Sequence, residues 1–149
     1  MRGDQVLSGY WNRPDANAEA FRDGWFHTGD MARMDDAGFV YIVDRKKDMI
    51  VSGGENVYPR EVEEVLYGHS AVAEAAVFGM PDEHWGERVT AAVVLKAEAQ
   101  ADEAELDALC RDQLAGYKRP RRWFFVDTIP KNVSGKVLKR TLREQYATD

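Results

Sequence analysis

Apolar positions along the chain recur with two different periods, and turn residues separate the runs. Runs at 31–34 and 39–43 flank Asp35-Asp36-Ala37-Gly38 and predict a hairpin, because a loop of that length with glycine near its end favours one. Residues 49–51 and 55–57 predict a second, shorter hairpin around Gly53-Gly54. Pro59 presets φ at the start of a helix, Val62, Val65 and Leu66 give it one apolar stripe, and Gly68 stops it. Strand-like runs follow at 72–78 and 89–95. Asp102 with Glu105 forms an approximate capping box for a helix whose Leu106, Leu109, Cys110 and Leu114 share a face and which Gly116 ends. Residues 123–126 read as a third strand, and 137–146 as a last helix with Leu138 and Leu142 inward. The order β-α-β-β-α-β-α predicts an α+β fold: a small three-stranded, mainly antiparallel sheet with helices on one side, preceded by a β-hairpin segment.

The stretch from Asp44 to Asn56 joins two unlike parts. It packs Asp44-Arg45-Lys46-Lys47-Asp48 together and then places two glycines side by side. Five consecutive charges are poor core material, and adjacent glycines let a backbone pass close to a ligand or adopt positive φ. The pattern reads as a hinge followed by a contact loop; the plainer reading is a charged turn and a bend that connect strands. Upstream, Asp15 is expected to cap a short helix over 16–21, and Trp25-Phe26-His27 to expose three rings with little nearby to cover them. That exposure suggests that the chain starts inside a larger protein.

Composition changes the picture in two respects. The formal net charge of −6 hides an asymmetry: residues 116–149 hold nine Lys/Arg against three Asp/Glu, a net of +6, which leaves −12 on the rest. A basic tail on an acidic body suits an anionic partner, although a solvated surface is the usual meaning of such bias. Cys110 is the only cysteine, so no intrachain disulfide can form, and Met1-Arg2-Gly3-Asp4 is not a signal peptide. The longest apolar run, 89–95, is too short to span a bilayer. A cytoplasmic protein without a transmembrane segment is expected.

Several residues suit chemistry on a nucleotide. Asp30 follows Thr28-Gly29, where a tight turn can present a carboxylate to both hydroxyls of a ribose; the alternative is a turn Asp that caps its own backbone. Arg45 can hold a ribose or phosphate oxygen, or can simply pair with Asp44 at the surface. In Pro130-Lys131-Asn132-Val133-Ser134-Gly135-Lys136, a glycine directly before a lysine leaves the ammonium free to reach a phosphate and a carboxylate together. This is not a Walker A loop, because the second glycine and the following Ser/Thr are absent. Trp85 and Tyr117 can stack on an adenine, with Lys118 and Arg119 at phosphate, or can be a core ring and solvated basic residues. His27, His69 and His84 lack metal-ligand spacing, so no metal site is expected.

Together these strings resemble the adenylate-forming enzymes: acyl-CoA synthetases, peptide-synthetase adenylation domains and firefly luciferase. Gly9-Tyr10-Trp11, Trp25-Phe26-His27-Thr28-Gly29-Asp30, Asp44 through Asp48, Ser52-Gly53-Gly54-Glu55-Asn56-Val57-Tyr58-Pro59 and Pro130 through Lys136 occur in the family's order. The likeness is nearest to aryl- and fatty-acyl-CoA ligases, through Ser52-Gly53-Gly54-Glu55-Asn56 and Trp85-Gly86-Glu87.

The resemblance implies two half-reactions at one site. A carboxylic acid attacks the α-phosphorus of ATP, carried with Mg²⁺, and CoA thiol then displaces AMP from the acyl-adenylate. Residues 1–46 would be the end of a large N-terminal domain, Lys47 the hinge, and residues 47–149 a small mobile domain that offers a different face to each step. Asp30 would bind the ribose with help from Arg45, and Lys136 would bridge acid and α-phosphate. Gly53 and Gly54 would line the pantetheine tunnel, and Trp85, Tyr117 and Arg119 would meet the nucleotide end of CoA. The family's phosphate loop and acid pocket are missing here, so the implied partner is the missing N-terminal domain. The chain alone should be inactive, and ATP and CoA are not expected to stay bound to it. Two rivals stand beside this reading: an adenylation domain that loads a carrier protein, and an interaction module whose tail 118–122 binds nucleic acid; the resemblance implies no nucleic acid.

Overall fold

The computed structural model describes residues 1–147. They form two compact units that meet between Lys47 and Asp48.

In the first unit, α1 (Pro14–Ala20) opens with proline at its first position. Arg13 is its N-cap, without a side-chain capping bond, so Asp15 lies in the first turn and does not act as the expected cap. Asp15 still meets the positive end of the helix there. Strands β1 (Phe21–Arg22) and β2 (Trp25–Phe26) make a minimal antiparallel pair, and the Phe21 and Phe26 rings lie 5.0 Å apart. Trp25 remains half exposed, as do several apolar side chains of the next hairpin, Phe39, Val40 and Ile42 among them. That hairpin pairs β3 (Asp30–Met34) with β4 (Val40–Arg45), with a register shift between Met31 and Ala32. Its turn is closed by the Asp35 carboxylate, which accepts from the Ala37 and Phe39 amides and from the Tyr41 hydroxyl.

The second unit is built on a long antiparallel pair, β7 (Val72–Asp82) with β8 (Gly86–Leu95). Both strands run further than their apolar runs suggested, because Met80-Pro81-Asp82 and Gly86-Glu87-Arg88 keep the ladder going to the tip. Strand β9 (Arg122–Phe125) pairs with β8 in parallel over Thr90–Val93. These three strands are the expected sheet, but the short hairpin of β5 (Ile50–Ser52) and β6 (Glu55–Val57) extends it to five. A single residue pair, Ser52 with Gly86, makes that join, too little to leave a sequence signal.

The helices correct a second expectation. Helices α2 (Pro59–Tyr67) and α3 (Glu103–Gln113) cover one face, where Val62, Leu66, Leu106 and Cys110 pack on Val77, Val89, Ala91 and Val93. Helix α4 (Lys139–Gln145) covers the other, with Leu142 against Ala76, Phe78 and Ala92. Residues 75–79 are all buried, which fits a strand with cover on both sides. Leu138 precedes α4 and is exposed, not inward, whereas Leu142 is inward as expected. Burial pushes the Cys110 thiol up to about 11, so it stays protonated and inert.

The cap of α3 is as expected, since the Asp102 carboxylate accepts from the Glu105 amide at 2.9 Å. Asp102→Ala should lower the stability of the chain by about 1 kcal/mol in urea denaturation.

Candidate functional site

Asp30 and Arg45 stand opposite one another at the open end of the β3–β4 hairpin, and the Arg45 Nε lies 2.9 Å from the Asp30 Oδ1. Gly29 enters the strand with φ +76 and open space where a side chain would project. The Thr28 Oγ1 accepts the Asp30 amide at 3.2 Å, and the Lys46 amide closes onto the Gly29 carbonyl at 2.8 Å. Arg45 therefore reaches across the ladder, and Asp44 uses its carboxylate on the Arg45 amide. Two residues separated by a whole hairpin are thus held together, with the arginine fork fixing the carboxylate's orientation. Lys47 lies next in a single 3-10 turn, Lys46–Asp48.

Gly53 and Gly54 form the two-residue turn between β5 and β6, with φ +61 and +83. Two central residues at positive φ define a type I′ hairpin, which side chains disfavour. Gly53 has a second constraint: a Cβ there would sit 2.9 Å from the Trp85 ring. Its amide donates to the Trp85 carbonyl at 2.8 Å. Trp85 occupies the β7–β8 tip, where the Asp82 carboxylate accepts its amide and that of His84. The bond from Trp85, followed by smaller contributions that include Arg88, holds the Asp82 carboxyl below its ordinary range. On the Trp85 ring lies the Arg121 guanidinium, 4.2 Å from the centroid.

The expected set of Trp85, Tyr117 and Arg119 faces three different partners. Tyr117 packs against the larger core, and Arg119 meets Asp107 of α3 at 3.5 Å. Lys118 is bound by both oxygens of Glu61 at 2.6 and 2.8 Å, which raises its pKa. The residue of the basic stretch that lies on Trp85 is Arg121, which the sequence did not distinguish from Arg119. Arg119, Arg121, Arg111, Asp107 and Trp123 line an open groove of about 550 Å³ beside α3.

Lys136 lies at the exposed end of a small closed loop. Lys131 bridges to Val137, and the Asn132 carboxamide oxygen accepts from the Ser134 amide, the Ser134 hydroxyl and the Lys136 amide, all within 3.0 Å. Gly135 takes φ +79 to close the turn. Lys131 is paired with Glu74 at 2.7 Å and Lys139 with Glu63 at 2.8 Å, while among the described residues Lys136 has no ion-pair partner. The Glu63 carboxylate also accepts the Val77 amide at 2.8 Å. This loop is therefore anchored toward the Glu74 end of β7, and the glycine turn toward the Gly86 end of β8. Eight residue steps along the strand lead from Glu74 to Asp82, the partner of Gly86, a span of roughly 26 Å. Neither Asn132 nor Glu63 was singled out in the sequence, because the bonds that give them their roles appear only once the loop is closed.

Among the described residues, no cluster of three His, Cys, Asp or Glu could hold a metal ion. Among the described residues, no helix is long and apolar enough to cross a membrane.

The family described as AMP-binding enzyme C-terminal domain matches residues 61–136. A long-chain-fatty-acid–CoA ligase of Bacillus subtilis (strain 168) is 54% identical over 97% of this chain and 26% of its own length. A feruloyl-CoA synthase of an Amycolatopsis species is 51% identical over 98% of this chain and 30% of its own. Among solved structures, o-succinylbenzoate CoA synthetase (MenE) of Bacillus subtilis in complex with the acyl-adenylate intermediate OSB-AMP superposes with a TM-score of 0.91. It is 44% identical, and the match covers 95% of this chain and 29% of that one. The chain thus spans between a quarter and a third of the length of these proteins. The family match, with the glycine turn and the lysine loop in one unit, places the chain in the family of AMP-binding enzyme C-terminal domains.

Proposed function

We propose that the chain acts as the C-terminal part of an ATP-dependent carboxylic acid–CoA ligase, which forms acyl-CoA, AMP and pyrophosphate through an acyl-adenylate. The observation that carries this is the lysine loop: Lys131 and Lys139 are neutralised by Glu74 and Glu63, and among the described residues Lys136 is left unpaired at the exposed end. A preorganised free ammonium suits the point where charge develops between a carboxylate and an α-phosphate.

In this reading Asp30, steadied by Arg45, accepts both ribose hydroxyls of ATP. Lys136 meets the carboxylate and α-phosphate oxygens, and Gly53 and Gly54 leave room for the pantetheine arm. Arg121 on Trp85, with Arg119 nearby in the groove, meets the nucleotide end of CoA; Tyr117 supports that segment from the core. Lys47 is the pivot between residues 1–46 and the mobile small domain. Mg²⁺ comes with the ATP phosphates, and no ligand for it is assigned here. The partners are the N-terminal domain that holds the acid pocket and a small carboxylic acid, in the cytoplasm.

Thioester formation with free CoA is favoured over loading of a carrier protein, because the relatives are named as CoA ligases and synthases. A nucleic-acid module is disfavoured, since the family match and the relatives named as CoA ligases and synthases point to acyl transfer.

The test is turnover. The full-length enzyme, given a panel of acids with ATP and CoA, should release AMP and acyl-CoA, whereas residues 1–149 alone should form no acyl-adenylate. Robust adenylate formation by this chain alone would overturn the reading. Asp30→Ala should raise the KM for ATP about tenfold or more, in line with the loss of hydrogen bonds to a charged group.

A further inference from the structure

We propose that Glu87 is a positioning residue for the CoA-dependent step, acting through the Gly53-Gly54 turn; this rests on the ligase reading above. Strand β5 meets β8 in one residue pair, Ser52 with Gly86. The Val51 amide, one residue earlier, donates instead to the Glu87 carboxylate, with Oε2 at 2.8 Å. A charged acceptor thus stands in for a ladder bond and holds the strand that leads into the turn.

A second observation points the same way. Gly79 on β7 has an ordinary strand conformation, so no positive φ accounts for a glycine there. A Cβ at Gly79 would lie 2.5 Å from the Glu87 Oε1, 2.9 Å from its Cδ and 3.1 Å from the Cγ2 of Ile50 in β5. The missing side chain is the space in which the carboxylate sits. Gly79, Glu87 and Val51 form one line across three strands that ends two residues from Gly53.

The turn is therefore fixed on two sides. The Trp85 carbonyl holds the Gly53 amide, and Glu87 holds the strand before it. Without Glu87, β5 keeps the Ser52–Gly86 pair and its pairing with β6, so the fold survives but the height of the turn is no longer set.

The experiment has two arms. In residues 1–149, hydrogen exchange of the Val51 amide should quicken about tenfold or more in Glu87→Ala, and should stay near the parent rate in Glu87→Gln, which keeps an acceptor. Gly79→Ala, which displaces the carboxylate and also presses on Ile50 of β5, should quicken Val51 exchange at least as much as Glu87→Ala. In the full-length enzyme, Glu87→Ala and Gly79→Ala should raise the KM for CoA about tenfold with adenylation unchanged, and Glu87→Gln should restore it. Unchanged Val51 exchange, an unchanged KM for CoA, or an equal fall in both half-reactions would each overturn the proposal alone. An enzyme with Glu87 intact that makes acyl-adenylate but accepts no thiol would overturn the ligase reading, and the proposal with it.

Discussion

Under the proposed reading, Lys136→Ala in the full-length protein should lower adenylation by about 10²–10³-fold, the usual loss when one preorganised stabiliser of transition-state charge is removed. Thioester formation from supplied acyl-adenylate should be nearly unchanged. Lys136 touches nothing in the core, and its loop is closed by Asn132 and anchored by Lys131 and Lys139, so the variant should keep the fold and its melting temperature. Pyrophosphate exchange measures the first step, and release of AMP from added acyl-adenylate and CoA measures the second. A variant that loses both steps alike would show that the ammonium is not dedicated to adenylation.

Gly53→Ala should give the opposite split. Its φ of +61 strains an L-residue, and the new Cβ would press on the Trp85 ring, which already carries Arg121. Either the turn or the ring must shift, and a displacement of about 1 Å can slow a positioned reaction by about 10²-fold. The CoA-dependent step should fall by that order while pyrophosphate exchange persists. Gly54→Ala is the control, because it carries similar strain at φ +83 but opens onto free space. A smaller loss there would assign the difference to the Trp85 contact; equal losses would assign it to backbone strain.

The elements that could be read from the sequence were those whose cause is local. Pro59 and Gly68 bound α2, Asp102 caps α3, and Gly53-Gly54 turns β5 into β6, each through residues close in the chain. The pairing of Asp30 with Arg45 was legible only as two separate candidates, because fourteen residues and a hairpin turn lie between them. What escaped depends on distant contacts. The parallel docking of β9 puts Arg121 on Trp85, and the single pair Ser52–Gly86 joins the hairpin to the sheet. Glu87 was visible within Trp85-Gly86-Glu87, but its role depends on an absent side chain at Gly79. Leu138 shows the reverse error: its spacing from Leu142 suits a helix, but α4 starts one residue later.

The span between the lysine loop and the glycine turn has a kinetic meaning. The loop is tied to β7 through Glu74 and the turn joins β8 at Gly86, so under the proposed reading they serve the reacting atoms in turn rather than together. Under the proposed reading, each catalytic cycle must include a reorientation whose rate sets a ceiling on turnover, and a crosslink that freezes the body in one pose would leave one chemistry running and silence the other.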